Sequence, residues 1–206
     1  MKKSAHSGIG ANIIMLALFL FIMTGKSEFV ILSTNDVHAS LENVSRLATA
    51  VKKCRDTVFT IVVDAGDRWT GNAYVDLAEN RLPIIKLMNA IGYDVATLGN
   101  HDFDAGQEVL DKAAEHAEFD VICANMKSFG DNLDDIEGCE RIVTPEGMAV
   151  DFVGVVTSYA NGHPDGNDVN FEGLQFEDVI LDAFGRIVGH EQIPSAVIAN
   201  RVQKGK

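Results

Sequence analysis

Three short clusters carry the residues able to do chemistry. Asp36-Val37-His38 sets a carboxylate and an imidazole two positions apart. Alternate residues leaving a strand point the same way, so the pair can grip one ion. Asp67 closes Asp64-Ala65-Gly66-Asp67, where a carboxylate can bridge two metals about 3.5–4 Å apart. Asn100-His101 offers a neutral amide oxygen beside an imidazole. Each cluster alone has a bland explanation: a helix start or surface loop, an Asp helix cap, a polar turn. Together, after three successive predicted strands, these ligand types suit Zn, Mn, Mg or similar divalent ions.

The elements that must position them follow from the apolar pattern. Residues 29–33 read as a β-rich run ending at Asn35-Asp36. Residues 58–63 form a continuous Val/Ile-rich run, as expected for a strand buried on both faces. Residues 94–98 are a third strand and 121–124 a fourth. Between them lie helical patterns at 41–55 (Leu41, Val44, Leu47 and Val51 on one face), at 75–91 with Pro83 able to divide it, and at 107–117. Residues 141–156, broken by Pro145-Glu146-Gly147, read as a hairpin. This alternation predicts an α/β sheet with right-handed crossovers. The ligand crevice of such a sheet lies outside the carboxyl ends of its strands, where all three clusters would converge.

Ile31-Leu32-Ser33-Thr34-Asn35-Asp36-Val37-His38, Asp64-Ala65-Gly66-Asp67 with Gly71, and Thr97-Leu98-Gly99-Asn100-His101-Asp102-Phe103-Asp104 resemble the motifs of calcineurin-like metallophosphoesterases. Within that family they resemble the 5′-nucleotidase branch, which includes UDP-sugar hydrolases and 2′,3′-cyclic-nucleotide phosphodiesterases. The resemblance runs over residues 28–156. It implies a four-layer α/β/β/α metallophosphoesterase fold and a centre of two divalent metal ions. It further implies that Asp36 and His38 hold one ion, that Asp67 bridges and that Asn100 holds the second. His101, paired with Asp104, would act on the phosphoryl group. The implied activity is hydrolysis of nucleotides or related phosphate esters. The family takes further ligands from later in its chain. Gly189-His190-Glu191-Gln192 spells one such motif and makes His190 and Gln192 candidates. Against this, no apolar strand delivers Gly189, and residues 176–188 read as a helix. The alternative is a displaced tail with His190 facing solvent and Val179, Ile180, Phe184 and Ile187 covering a sheet face. The fold is then expected to be incomplete at its C-terminal side. The competing functional readings are a non-catalytic remnant and a phosphate- or metal-binding module.

The 206 residues carry 17 Lys and Arg against 30 Asp and Glu, a formal net charge of −13. That excludes a nucleic-acid duplex as partner, which needs clustered basic residues; a phosphate ester remains compatible because bound dications reverse the local field. Lys2 and Lys3 precede an almost unbroken apolar run at 11–23, with the length of a signal-peptide core or N-terminal anchor. The chain therefore divides into an export segment (1–27), the N-terminal part of the catalytic domain (28–157) and a tail (158–206). The expected location is periplasmic or cell-surface, with membrane contact only through the export segment. Cys54, Cys123 and Cys139 show no zinc-ribbon spacing; the first two read as core positions. His116 reads as a surface residue and His163 as a structural or solvent-facing loop residue.

Overall fold

The computed structural model describes residues 28–177 in full, and as backbone only the strands at 17–20, 180–181, 187–189 and 196–204. Five strands make the main sheet in the order β1 (Ala17–Leu20), β2 (Phe29–Thr34), β3 (Phe59–Asp64), β4 (Val95–Thr97) and β5 (Asp120–Ile122). β1 runs antiparallel to β2; β2 to β5 are parallel. Sequential parallel strands need crossovers, supplied by the helices α1 (Val44–Arg55), α2 (Ala73–Asp76), α3 (Leu82–Ile91) and α4 (Gln107–Glu115).

Period-two alternation splits the strand residues between two cores. Val30, Leu32, Val62 and Ala96 face the helices and pack with Val51, Ile84, Ile85, Met88, Leu110 and Ala113. Phe29, Ile61, Val63 and Val95 face the other way, onto Met148, Val150 and Phe152. The latter belong to β8 (Met148–Val155), the centre of a second, antiparallel sheet with β7 (Cys139–Val143) and β12 (Ala196–Lys204). Helix, sheet and sheet are thus three of the four expected layers. Gly154 lets the two sheets touch: a Cβ there would sit 2.3 Å from the Ile122 carbonyl oxygen. Two short antiparallel pairs complete the fold, β6 (Met126–Ser128) with β9 (Leu174–Phe176) and β10 (Ile180–Leu181) with β11 (Ile187–Gly189).

Several expectations need correction. The helix at 41–55 starts only at Val44. The helix at 75–91 is interrupted where Asn80 and Arg81 take left-handed backbone, and α3 restarts with Pro83 in its first turn. Among the described residues of 176–188 none is helical: Phe176 ends β9, buried against Phe103, and residues 180–181 pair with 187–189 as strands. In sequence, the low helix propensity of Gly185 and the β-branched Val179, Ile180, Ile187 and Val188 favour extended chain over helix. The tail also contains β12, which pairs with β8 along its length. Most of the apolar run at 11–23, and the side chains of Val179, Ile180, Phe184 and Ile187, lie outside the described residues. Among the described residues no helix is long and apolar enough to cross a membrane. Cys123 is buried, Cys54 half-buried and Cys139 exposed, all as free thiols.

Candidate metal centre

The loops after β2 and β3 are zipped together by backbone. Asp36 N–H donates to the Gly66 carbonyl (3.1 Å), His38 N–H to Asp67 (3.0 Å) and Ala39 N–H to Arg68 (2.8 Å). This geometry forces non-glycine residues into left-handed conformation: φ is 52° at Asp36, 46° at His38, 52° at Ala39 and 56° at Asp67. Such positions cost energy and persist only where the surroundings impose them. Glycines admit the close approaches. A Cβ on Gly66 would lie 2.5 Å from Gly99 N, one on Gly99 2.1 Å from Asp67 Oδ1, and one on Gly71 2.7 Å from the His38 carbonyl.

The product is a cluster in which ligand atoms of Asp36, His38 and Asp67 all lie within 4.8 Å of one another. His38 Nδ1 meets the Thr70 carbonyl at 3.0 Å, and its Nε2 points to Asp36 Oδ1 at 3.6 Å. A carbonyl on one ring nitrogen fixes the tautomer that leaves the other as a metal-ligating lone pair. Burial first, and the charge of Asp102 second, push the Asp67 carboxyl up to about 7. A cation would reverse that balance and hold it ionised. Hard carboxylates beside an oriented imidazole fit a divalent ion.

β4 delivers the third cluster as a tight turn over Asn100–Phe103. His101 N–H donates to Asp67 Oδ1 at 2.8 Å, which sets this turn against the first two loops. The Asn100 side-chain NH2 donates to the Asp165 carbonyl at 3.2 Å, leaving its amide oxygen as the free donor to an ion. The His101 ring stands edge-on to His38, centroids 5.0 Å apart, and its Nδ1 meets Asp104 Oδ2 at 2.9 Å. Burial pulls this imidazole down, but the hydrogen bond and charge of Asp104, with Asp67 and Asp102 beyond, outweigh it and raise its proton affinity.

The structure therefore brings Asp36, His38 and Asp67 together after β2 and β3, and the turn after β4 that carries Asn100, His101 and Asp104 is joined to them through the Asp67 and His38 contacts of His101. His190 and Gln192 lie outside the described residues. His163 stacks on Phe171 (4.4 Å) and binds the Pro164 carbonyl, a structural loop residue; His116 is exposed and caps α4. Sequence reasoning gave no role to Arg68, Trp69 or Asp102. Arg68 is buried between Asp64 and Asp102 (3.4 Å to each). Asp102 accepts the N–H groups of Asp67, Arg68 and Gly99. Trp69, fully buried, donates to the His101 carbonyl at 2.9 Å. The one available signal was position, since all three lie within two residues of a proposed ligand.

A profile of the Calcineurin-like phosphoesterase family matches residues 29–191. The snake venom 5′-nucleotidase of Gloydius brevicauda is 34% identical over 137 residues, 58% of this chain and 23% of the relative. The 5′-nucleotidase of Bos taurus is 32% identical over 157 residues, 67% of this chain and 27% of the relative. Among solved structures, the NAD nucleotidase of Haemophilus influenzae superposes with a TM-score of 0.62 at 25% identity, covering 72% of this chain and 29% of that one. The chain spans about a quarter of the length of the curated relatives it matches.

Proposed function

The chain belongs to the calcineurin-like phosphoesterase family, and from that premise we propose that it hydrolyses nucleotides or related phosphate esters at the crevice formed by Asp36, His38, Asp67, Asn100 and His101. In this reading Asp36, His38 and Asp67 would hold one divalent cation, and Asp67 and Asn100 would serve a second. His190 and Gln192 are the chain's candidates for further ligands to the ions. The observation that carries the reading is the convergence of Asp36, His38 and Asp67 within 4.8 Å, on strained loops at the ends of adjacent parallel strands.

Divalent cations, when bound there, supply Lewis-acid polarisation of the phosphoryl oxygens and acidify a water. The remaining chemistry belongs to side chains. Asp104 holds His101 Nδ1, so Nε2 is the atom that can present a proton to the substrate. With its proton affinity raised, His101 is protonated over more of the neutral range. It can then offset negative charge growing on the phosphoryl group or its leaving oxygen. The Trp69 and Asp67 hydrogen bonds to the His101 backbone keep that ring in line with the ligand cluster. Lys2, Lys3 and the apolar run behind them support export to the periplasm or cell surface.

A second reading, a one-ion module that binds without turnover, draws support from the same cluster. Among the described residues it offers three carboxylate and imidazole groups, a number sufficient for one cation. One experiment separates the two. Metal analysis of the purified chain is read together with hydrolysis of an aryl phosphate under Mn²⁺. Two ions and turnover support the esterase; one ion without turnover supports the module. An absence of bound metal refutes both.

A further inference from the structure

A guanidinium at 1% exposure is out of place in a loop unless something depends on it. Burying an ion pair is seldom a gain in stability over apolar residues of the same volume. Arg68 nevertheless sits beneath the ligand cluster, and its contacts join separate parts of the chain. Its Nε faces Asp64 Oδ2 and one terminal nitrogen faces Asp102 Oδ2, each at 3.4 Å. The same terminal nitrogen donates to the Thr97 carbonyl at the end of β4. Asp64, the last residue of β3, accepts from Thr34 Oγ1 at 2.7 Å, and Thr34 in turn meets the Tyr93 hydroxyl at 2.9 Å. One continuous polar chain thus crosses the ends of β2, β3 and β4.

Asp102 is the other terminus of that chain and the hub of the loops. Fully buried, it gathers Gly99 N–H (2.8 Å), Asp67 N–H (3.2 Å) and Arg68 N–H (3.2 Å). Two of these donors flank ligands: Gly99 precedes Asn100, and Asp67 is itself a ligand. Without Arg68 its buried carboxylate would keep these backbone donors but have no cation beside it.

We propose that Arg68 is a positioning residue: by tying Asp64 to Asp102 it locks the loops after β3 and β4 together, so that Asp67 and Asn100 stand ready for a divalent cation. The inference rests on the reading of the centre given above. It assigns Arg68 no contact with substrate. Its planar fork spans two carboxylates and a carbonyl, a task that the point charge of Lys cannot reproduce.

The test is calorimetric titration of Mn²⁺ into the metal-free chain, alongside thermal melts. Four proteins are compared: wild type, Arg68→Lys, Asp102→Asn and Phe152→Leu. Phe152 lies in the core between the two sheets and serves as a purely structural control. Arg68→Lys is expected to weaken Mn²⁺ binding about 10–100-fold, the usual cost of losing a partner that orients a ligand. Asp102→Asn, which keeps an acceptor oxygen but not the charge, is expected to weaken it in the same direction. Phe152→Leu should lower the melting temperature and leave the affinity alone. Wild-type affinity in a folded Arg68→Lys or Asp102→Asn protein overturns the inference while leaving the centre intact. Equal weakening in Phe152→Leu also overturns it, since affinity would then follow stability. A wild-type chain that binds no Mn²⁺ removes the centre and the inference together.

Discussion

Replacing Asp67 by Asn should separate stability from binding in opposite directions. The Asp67 carboxyl is held up from its ordinary 3.8 to about 7 in the metal-free fold. Below pH 4 both folded and unfolded chains carry it protonated, and the group is neutral in its effect. As pH rises, the unfolded chain ionises first, so the fold loses stability between about pH 4 and 7. Holding the carboxyl at about 7 corresponds to at most about 4 kcal/mol at pH 8, because the side chain retains an edge to solvent. Asn keeps the acceptor for the His101 N–H and never ionises. Metal-free Asp67→Asn should therefore be more stable than wild type at pH 8, by up to a few kcal/mol, and equal to it near pH 3.5. Asp64, raised to about 6 by burial, adds a similar slope to both proteins and cancels in the difference. With Mn²⁺ at about 100 times its dissociation constant the wild type should regain about 2.7 kcal/mol, and the mutant nothing. Urea unfolding from pH 3.5 to 8, with and without Mn²⁺, measures both. A mutant less stable than metal-free wild type at pH 8 would refute the account of Asp67 as a repelled, cation-seeking carboxylate.

Three further outcomes follow from the same geometry. Gly99→Ala places a Cβ 2.1 Å from Asp67 Oδ1; the ligand must move by about an ångström, which should weaken Mn²⁺ binding or turnover by about 10²-fold, read by titration and by aryl-phosphate hydrolysis. His101→Ala should retain metal by elemental analysis but lose about 10²–10³-fold in turnover; undiminished turnover would remove His101 from the chemistry. Phe152→Ala, in the fully buried core between the sheets, should cost about 3–5 kcal/mol in denaturant unfolding without altering which residues bind metal.

The parallel sheet was legible because its strands are buried on both faces and so read as unbroken apolar runs, Ile61-Val62-Val63 most clearly. The candidate ligands were legible as a group because Asp, His and Asn stood directly after such runs. The supporting groups were not. Arg68 in a polar loop reads as a solvated charge, and only the packed fold reveals carboxylates on either side of it. Asp102 reads as a second acid in a turn; its three backbone donors come from residues 3, 34 and 35 positions away, contacts that no local pattern encodes. The division of the helix was legible in Pro83, but the left-handed step at Asn80 and Arg81 that makes it was hidden. Helical periodicity of apolar residues survives a left-handed step when the helices on both sides face the same core. In the tail, one apolar pattern suited helix and strand alike, and pairing with β6 decided Phe176.

The left-handed backbone at Asp36, His38, Ala39, Asp67 and Thr70 also bears on how this sequence can drift. Each of these conformations would be adopted with less strain by glycine, and each disfavours the β-branched residues that dominate the neighbouring strands. At Asp36, His38 and Asp67 glycine would relieve the strain but also remove the side chain the proposed centre needs, so backbone comfort and ion binding pull in opposite directions at the same three positions.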